Sequence, residues 1–260
     1  MPELPDVEGY RRALAEHLPR RTVRSVEVLD AGVLRNTSAH TFQQRVAGLR
    51  FRVPQRHGKW LLLPTDGPTV IVHSGMTGRP YWARAGDAPD RYDRVRMTFA
   101  RGQLRYADLR KLRGIWLADD DAAVARVLGD LGPDALDVDE AQFSQLLSAA
   151  RRRLLKTTLT DQSTIAGLGN LLSDELCWQS RIHPLRPCNE LDGADLHQLY
   201  STMRRILRTS VRHACVPRLR SWLTGVRDVR GASCPRCGSE LRRTRSAGRT
   251  AVWCPHDQPR

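Results

Sequence analysis

Pro2-Glu3-Leu4-Pro5-Asp6-Val7-Glu8 opens the chain and runs directly into its first regular pattern. Val7, Tyr10, Leu14 and Leu18 recur at spacings of three and four, which predicts a helix over Asp6–Leu18 that stops at Pro19. Beyond it the pattern shortens. Val23–Leu29, Arg50–Val53, Lys59–Leu63, Val70–His73, Val95–Phe99, Gln103–Tyr106 and Ile115–Leu117 are short runs separated by Gly, Pro or Asp, as in a β-sandwich of about seven strands. Helical patterns return at Ala122–Leu128, Glu140–Leu155, Asn170–Ser180 and Asp195–His213, with stop signals at Leu131-Gly132-Pro133, Ile165–Gly169 and Ile182-His183-Pro184. From about Thr224 the chain is arginine-rich and carries cysteines. The fold class is therefore α+β in several domains: an N-terminal helix plus β-sandwich over 1–118, a linker over 119–139, a helical domain over 140–217 and a C-terminal β-hairpin within 224–260.

The charge points to the partner. In 260 residues the net charge is +14 and the pI about 10.5, a balance expected of a protein that meets a polyanion, nucleic acid first. The charge is unevenly placed: +10 over 1–118, −7 over 119–149, +4 over 150–217 and +7 over 218–260. The acidic block beginning Asp119-Asp120-Asp121 reads as a solvated linker facing away from the nucleic acid, with the basic surface built from what flanks it. Of the 42 basic residues only Lys59, Lys111 and Lys156 are lysine. A GC-rich genome favours arginine codons, so each surviving lysine is worth following. Hydrophobic residues at 40 % exclude a disordered chain, and no apolar run approaches the ~20 residues of a membrane span. The acidic start does not resemble a signal peptide, so a cytoplasmic, nucleoid-associated protein with reduced cysteines is expected.

Cys234-Pro-Arg-Cys237 has the form of a metal knuckle, and Cys254 follows it after 16 intervening residues. Two such knuckles on a hairpin bring four ligands together on one structural Zn²⁺, which would supply much of the folding free energy of so small a segment. The second knuckle reads Cys254-Pro-His-Asp257. Register favours Asp257 as the fourth ligand and the usual donor preference of zinc favours His256, so the two stay open. Cys177, Cys188 and Cys215 are scattered and read as packing residues.

The opening heptapeptide resembles the PELPEVE signature of the formamidopyrimidine-DNA glycosylase and endonuclease VIII family, closer to the former. The resemblance continues in order along the chain. Gly58-Lys59-Trp60-Leu61 is similar to the family's catalytic-lysine strand, and His73-Ser74-Gly75-Met76-Thr77-Gly78 to its HLGMSG loop. Asp108-Leu109-Arg110-Lys111-Leu112 resembles its DPRKF loop and Leu131-Gly132-Pro133 its LGP linker. Gly167-Leu168-Gly169-Asn170 with Ile182-His183-Pro184 resembles its helix–two-turn–helix element, followed by a zinc-finger-like hairpin.

The resemblance implies a bifunctional DNA glycosylase and AP lyase acting on damaged double-stranded DNA. It would be a monomer with no small-molecule cofactor. The residues support the chemistry. Once Met1 is removed, Pro2 presents a secondary amine, and an α-amino group titrates near ~8 against ~10.4 for a lysine side chain. Such an amine can attack C1′ of a damaged nucleotide, expel the base and hold the sugar as a Schiff base, from which elimination breaks the strand. Glu3 is the natural proton shuttle for ring opening, and Lys59 places a compact charge beside the leaving base or its phosphate. The base must first be flipped out and the gap filled. By resemblance Met76, Arg110 and Leu112 are the fillers, with Leu112 where the family usually has phenylalanine. His73, Lys156, Asn170 and Arg249 correspond to family positions near phosphates or the flipped base, and Gly167 and Gly169 would let main-chain N–H groups approach a phosphate. Lys111 stands as a phosphate contact. The stretch between His213 and Cys234 is about ten residues shorter than in typical members, where it covers flipped 8-oxoguanine. That puts 8-oxoguanine in doubt and favours ring-opened purines, oxidised pyrimidines, abasic sites or larger adducts. The alternative is a lesion-binding repair protein with weak or no catalysis.

Overall fold

Two patterns in the sequence, period two and period 3.6, become two structural units in a computed structural model that describes residues 1–259. The first unit comprises Met1–Pro2 and Asp6–Gly129. Its elements in chain order are α1 (Leu4–Ala15, whose first residues count with the second unit), β1 (Ser25–Val28), α2 (Ala39–Val46), β2 (Gln55–His57), β3 (Trp60–Leu63), β4 (Thr69–His73), β5 (Arg79–Ala83), β6 (Asp93–Phe99), β7 (Gly102–Ala107), β8 (Gly114–Ala118) and α3 (Asp121–Leu128). The strands form two four-stranded antiparallel sheets, in the orders β1-β6-β7-β5 and β2-β3-β4-β8. In β6 the alternation is complete: Asp93, Val95, Met97 and Phe99 are buried while Arg94, Arg96 and Thr98 are half-buried. Val95, Met97 and Phe99 join Leu61, Leu63, Val70, Val72, Leu104, Tyr106, Ile115 and Leu117 in one core, with Val7, Leu14 and Leu18 from the N-terminal segment and Phe42 and Val46 from α2. Each such side chain removed from water contributes about 1.5–3 kcal/mol before the entropy of ordering it.

The second unit comprises Glu3–Pro5 and the residues from Asp130 onward. It contains α4 (Glu140–Ala149), α5 (Leu155–Thr160), α6 (Asn170–Gln179), α7 (Gly193–Arg212), α8 (Leu223–Val226), β9 (Arg242–Ser246) and β10 (Arg249–Trp253). α7 shows why a helix forms here. Asp192 and Asp195 make a reciprocal capping box, and Leu199, Met203, Ile206, Leu207 and Val211 bury one stripe. That stripe packs with Leu4, Phe143, Leu147, Leu155, Leu159, Leu172 and Leu176. A smaller core of Trp178, Leu223, Leu241 and Val252 lies beneath the β9–β10 hairpin.

Four details differ from the sequence reading. Arg50 and Phe51 make only isolated bridges, to Thr22 and Thr65, and the strand begins after Pro54, which has no N–H to give a ladder. β5 was not expected, because Pro80 breaks its pattern; it lies at a sheet edge, where a missing donor is tolerated. α2 was also not expected; Ser38 caps it by accepting from Thr41 N at 3.1 Å. The helix expected over Glu140–Leu155 is two helices, parted where Arg151 takes a left-handed φ of +50°. Within 119–139, α3 is capped by the Asp120 side chain. Among the described residues no helix is long and apolar enough to cross a membrane.

Candidate functional site

In the first unit, Pro2 is half-buried just ahead of α1. Glu8, one helical turn into α1, anchors that segment: its carboxylate takes Arg11 and Arg12 at 2.8 Å and Arg56 at 3.2 Å. Burial works to raise this carboxyl, but the hydrogen bonds and charges of Arg11, Arg12 and Arg56 win and bring it down to about 2. Lys59 sits in the two-residue turn joining β2 to β3, where Gly58 supplies the φ of +56° that the first turn position requires. His73 ends β4 with its ring edge-on to Trp60, centroids 4.7 Å apart. Its Nδ1 accepts from Gly75 N at 3.0 Å, so in the neutral ring Nε2 carries the proton. Burial, then the charges of Arg113 and Lys59, hold His73 down to about 4. At neutral pH it is an uncharged Nε2–H donor.

Two loops of this unit carry Met76, Arg110 and Leu112. Met76 is 40 % exposed and Leu112 53 %, so neither is a core residue, and Arg110 Nη1 reaches Met76 Sδ at 2.9 Å. Asp108, which the sequence reading passed over, ties the loops together. Its Oδ1 accepts from Thr77 Oγ1 at 2.6 Å and from the main-chain N–H groups of Arg110 and Lys111 at 3.1 Å, and Oδ2 accepts from Tyr106 at 3.0 Å. An Asp followed by three residues without regular pattern was the available signal. Lys111, expected at a phosphate, is paired with Asp30 at 2.9 Å within the protein.

In the second unit, Glu3 is 1 % exposed and its carboxylate accepts from Leu171 N at 2.7 Å and Leu172 N at 3.1 Å, capping the first turn of α6. The Gly167–Gly169 stretch makes this possible. A Cβ on Gly169 would stand 2.2 Å from the Glu3 carboxyl carbon, and one on Gly167, at φ +112°, would stand 2.4 Å from Leu4 Cδ1. These glycines were expected to admit a phosphate; the helix N–H groups they expose are occupied by Glu3 instead. Asn170 opens α6, and its Oδ1 is buried without a hydrogen-bond partner among the described residues. Arg249 is exposed at the β9–β10 tip, after a turn in which Ala247 and Gly248 both take positive φ, and it donates to Thr160 Oγ1 at 2.8 Å.

Lys156 requires a correction. Expected near DNA, it is 1 % exposed, with its ammonium held by Asp174 and by the Thr250 carbonyl at 2.6 Å. Burial pushes its pKa down, against the pull of Asp174. Arg227 completes the cluster, giving Nε to Asp174 at 2.7 Å and Nη2 to the same Thr250 carbonyl at 3.1 Å. No motif marked Arg227. It lies in the stretch before Cys234, which is anchored on α6, Thr224 N donating to the buried Glu175 at 2.8 Å.

The metal question has a geometric answer. One ligand atom each from Cys234, Cys237, Cys254 and Asp257 lies within 4.8 Å of all the others. Three thiols and a carboxylate at that separation fit the tetrahedral donor set of a structural zinc. His256 is outside the set, its side chain 72 % exposed, because the turn that brings Asp257 N to 3.4 Å from Cys254 Sγ directs the preceding residue outward. Arg236 lies over Trp178 at 4.2 Å and reaches Asp257 at 3.4 Å.

Comparison with known proteins covers the whole chain. Residues 1–115 match the model of the formamidopyrimidine-DNA glycosylase N-terminal domain, 131–217 that of the formamidopyrimidine-DNA glycosylase H2TH domain, and 233–260 that of the zinc finger found in FPG and IleRS. The formamidopyrimidine-DNA glycosylase of Pelotomaculum thermopropionicum is 32 % identical, with 98 % of each chain covered. The Lactococcus lactis Fpg (MutM) in complex with DNA containing N7-benzyl-Fapy-dG superposes with a TM-score of 0.86 at 29 % identity over 100 % of both chains. The Lactococcus lactis Fpg bound to DNA with an abasic site gives the same TM-score at 28 % identity, again over 100 % of both.

Proposed function

The chain belongs to the formamidopyrimidine-DNA glycosylase family, and on that premise we propose that it excises damaged bases from double-stranded DNA and then cuts the strand, with Pro2 as nucleophile. The secondary amine of Pro2, once Met1 is removed, forms a bond to C1′ as the C1′–base bond breaks and the base leaves with a proton. Glu3 takes up the proton that the Pro2 nitrogen gives up and passes it to the ring oxygen, the sugar opens, and an iminium links Pro2 to C1′. Loss of a C2′ proton then expels the 3′ phosphate. Lys59 adds a positive charge beside the leaving group, and His73, neutral with a proton on Nε2, donates a hydrogen bond to a phosphate oxygen without adding charge. Met76, Arg110 and Leu112 fill the space the base leaves, while Asn170 and Arg249 hold the strand. Zinc held by Cys234, Cys237, Cys254 and Asp257 would stabilise the hairpin and take no part in the chemistry. The enzyme acts as a monomer in the cytoplasm.

The observation that carries this reading is the Glu3 carboxylate, in the residue that follows Pro2 in the sequence, buried and fixed on two main-chain donors. A protein that only binds lesions has no use for a carboxylate held this way in the residue after a terminal amine, so the binding-only alternative is not favoured. Ring-opened purines, oxidised pyrimidines and abasic sites rank ahead of 8-oxoguanine as substrates, because the segment preceding Cys234 is short and tied down on α6. Borohydride trapping on duplex DNA containing an abasic site tests the mechanism. Mature wild-type protein should yield a covalent adduct that Pro2→Gly loses; no adduct from the wild type would sink the catalytic claim.

A further inference from the structure

The loop that presents Leu112 is held from behind by contacts that the excision chemistry does not use. Lys111 takes a φ of +50°, a conformation that a long side chain adopts only under constraint, and the chain reverses there with Leu109 and Leu112 on either side, both more than half exposed. Lys111 Nζ is 2.9 Å from Asp30 Oδ2, and Asp30 Oδ1 in turn accepts from Gly32 N at 2.9 Å, fixing the carboxylate in its own turn. Arg35 Nη2 donates at 2.5 Å to the carbonyls of both Lys111 and Arg113, the two residues that bracket Leu112. Arg94 closes the base of the loop, giving Nε to the Asp108 carbonyl at 2.8 Å while Nη1 lies 3.8 Å from Asp30. A loop held for packing would turn Leu112 inward; these contacts hold it outward.

We propose that Asp30, Lys111 and Arg35 form a positioning clamp that fixes Leu112 for insertion into the duplex, so that base extrusion depends on them and the chemistry on the sugar does not. The proposal rests on the reading of Leu112 as a gap-filling residue. Lys111 is then a strut of the loop whose charge is spent on Asp30, and its long stem sets the distance between the loop and the Asp30 turn. Because Lys111 and Asp30 keep 39 % and 26 % of their side-chain surface in solvent, the pair is of moderate strength and weakened by salt.

Two rates separate extrusion from chemistry: single-turnover base excision from a lesion-bearing duplex, and strand cleavage at an abasic site in a single-stranded oligonucleotide, where there is no base to extrude and no gap to fill. Asp30→Asn keeps an acceptor for Gly32 N and removes the charge facing Lys111; it should slow duplex excision about three- to fivefold and leave the single-strand rate within roughly twofold of wild type. Arg35→Gln, which loses both carbonyl bridges, should slow duplex excision by about tenfold with the same single-strand rate. Lys111→Arg, which keeps the ion pair, should restore most of the duplex rate that Lys111→Met loses. Equal losses in both rates would mean a general structural role, and an unchanged duplex rate would mean no clamp; either overturns the proposal. Leu112→Ala and wild type calibrate the premise: if Leu112→Ala excises at the wild-type rate, gap filling by Leu112 is wrong and the clamp falls with it. If wild type cleaves neither substrate, the proposed function itself fails.

Discussion

Gly169→Ala should damage both stability and activity through a single atom. The added Cβ would stand 2.2 Å from the carboxyl carbon of Glu3 and 2.4 and 2.6 Å from its oxygens, well inside van der Waals contact. Glu3 is 1 % exposed, so its carboxylate has no nearby solvent to swing into. Either the carboxylate leaves the Leu171 and Leu172 N–H groups or the first turn of α6 moves away from it. Two hydrogen bonds to a charged acceptor, at ~1.5–3 kcal/mol each, set a ceiling of about 6 kcal/mol, and partial relaxation brings the expected loss to about 3 kcal/mol. For a domain of this size that is roughly 6–12 °C in the unfolding midpoint. Base excision should fall by about 10²–10⁴, the usual contribution of a positioned proton donor. Calorimetry gives the first quantity, and single-turnover excision from a lesion-bearing duplex gives the second. Gly193→Ala is the control: nothing lies within 4 Å of its Cβ position and it is helical, so it should be neutral or stabilising by up to ~1 kcal/mol. If Gly169→Ala unfolds and excises like wild type, the glycine is not there to seat Glu3, and the carboxylate's fixed orientation does not matter for the reaction.

Glu8 makes stability pH-dependent in acid. Its carboxyl sits at about 2 in the folded protein against 4.5 unperturbed, so its contribution is complete above pH 4.5 and is lost as pH falls toward 2. The two values correspond to about 3 kcal/mol, which Glu8→Gln should remove at neutral pH while flattening the acid limb of denaturation curves. A wild-type acid limb in the Glu8→Gln protein would disprove the assignment. Elemental analysis should find one zinc per chain in wild type and in His256→Ala. Asp257→Ala should lose metal on dialysis against a mild chelator, and the opposite pattern would restore His256 as the ligand.

How much of this could be read from the sequence depended on how local each feature is. The helix face of Val7, Tyr10 and Leu14 and the alternation of β6 are short-range patterns, and both are present as expected. β5 and the break between α4 and α5 were illegible for opposite reasons. Pro80 disguised a real strand, whereas nothing in Arg151-Arg152-Arg153 announces a left-handed residue; the bridge from Leu154 to Pro187 imposes the break from elsewhere in the chain. The choice between His256 and Asp257 set register against the usual donor preference of zinc, and the turn after Cys254 decides it for register. Glu3 and Lys156 show the limit most plainly. The type of residue was legible and its partner was not, because the donors to Glu3 lie 168 and 169 positions away and Lys156 answers to a carbonyl 94 positions away.

The convergence of Lys156 and Arg227 on the Thr250 carbonyl bears on the altered knuckle. That carbonyl is in the strand that leads to Cys254, so the hairpin is suspended at two separate points. A zinc on Cys234, Cys237, Cys254 and Asp257 would gather the knuckle end, and a buried charge cluster grips the strand near the tip that displays Arg249. A carboxylate is a weaker zinc donor than a thiolate, and in a hairpin hung from its metal alone that exchange would loosen the arginine as well. With the second suspension the two tasks come apart. The knuckle can tolerate Asp257 because Thr250, next to Arg249, is held by Lys156 of α5 and by Arg227 just after α8, both paired with Asp174 of α6, a grip that needs no ion.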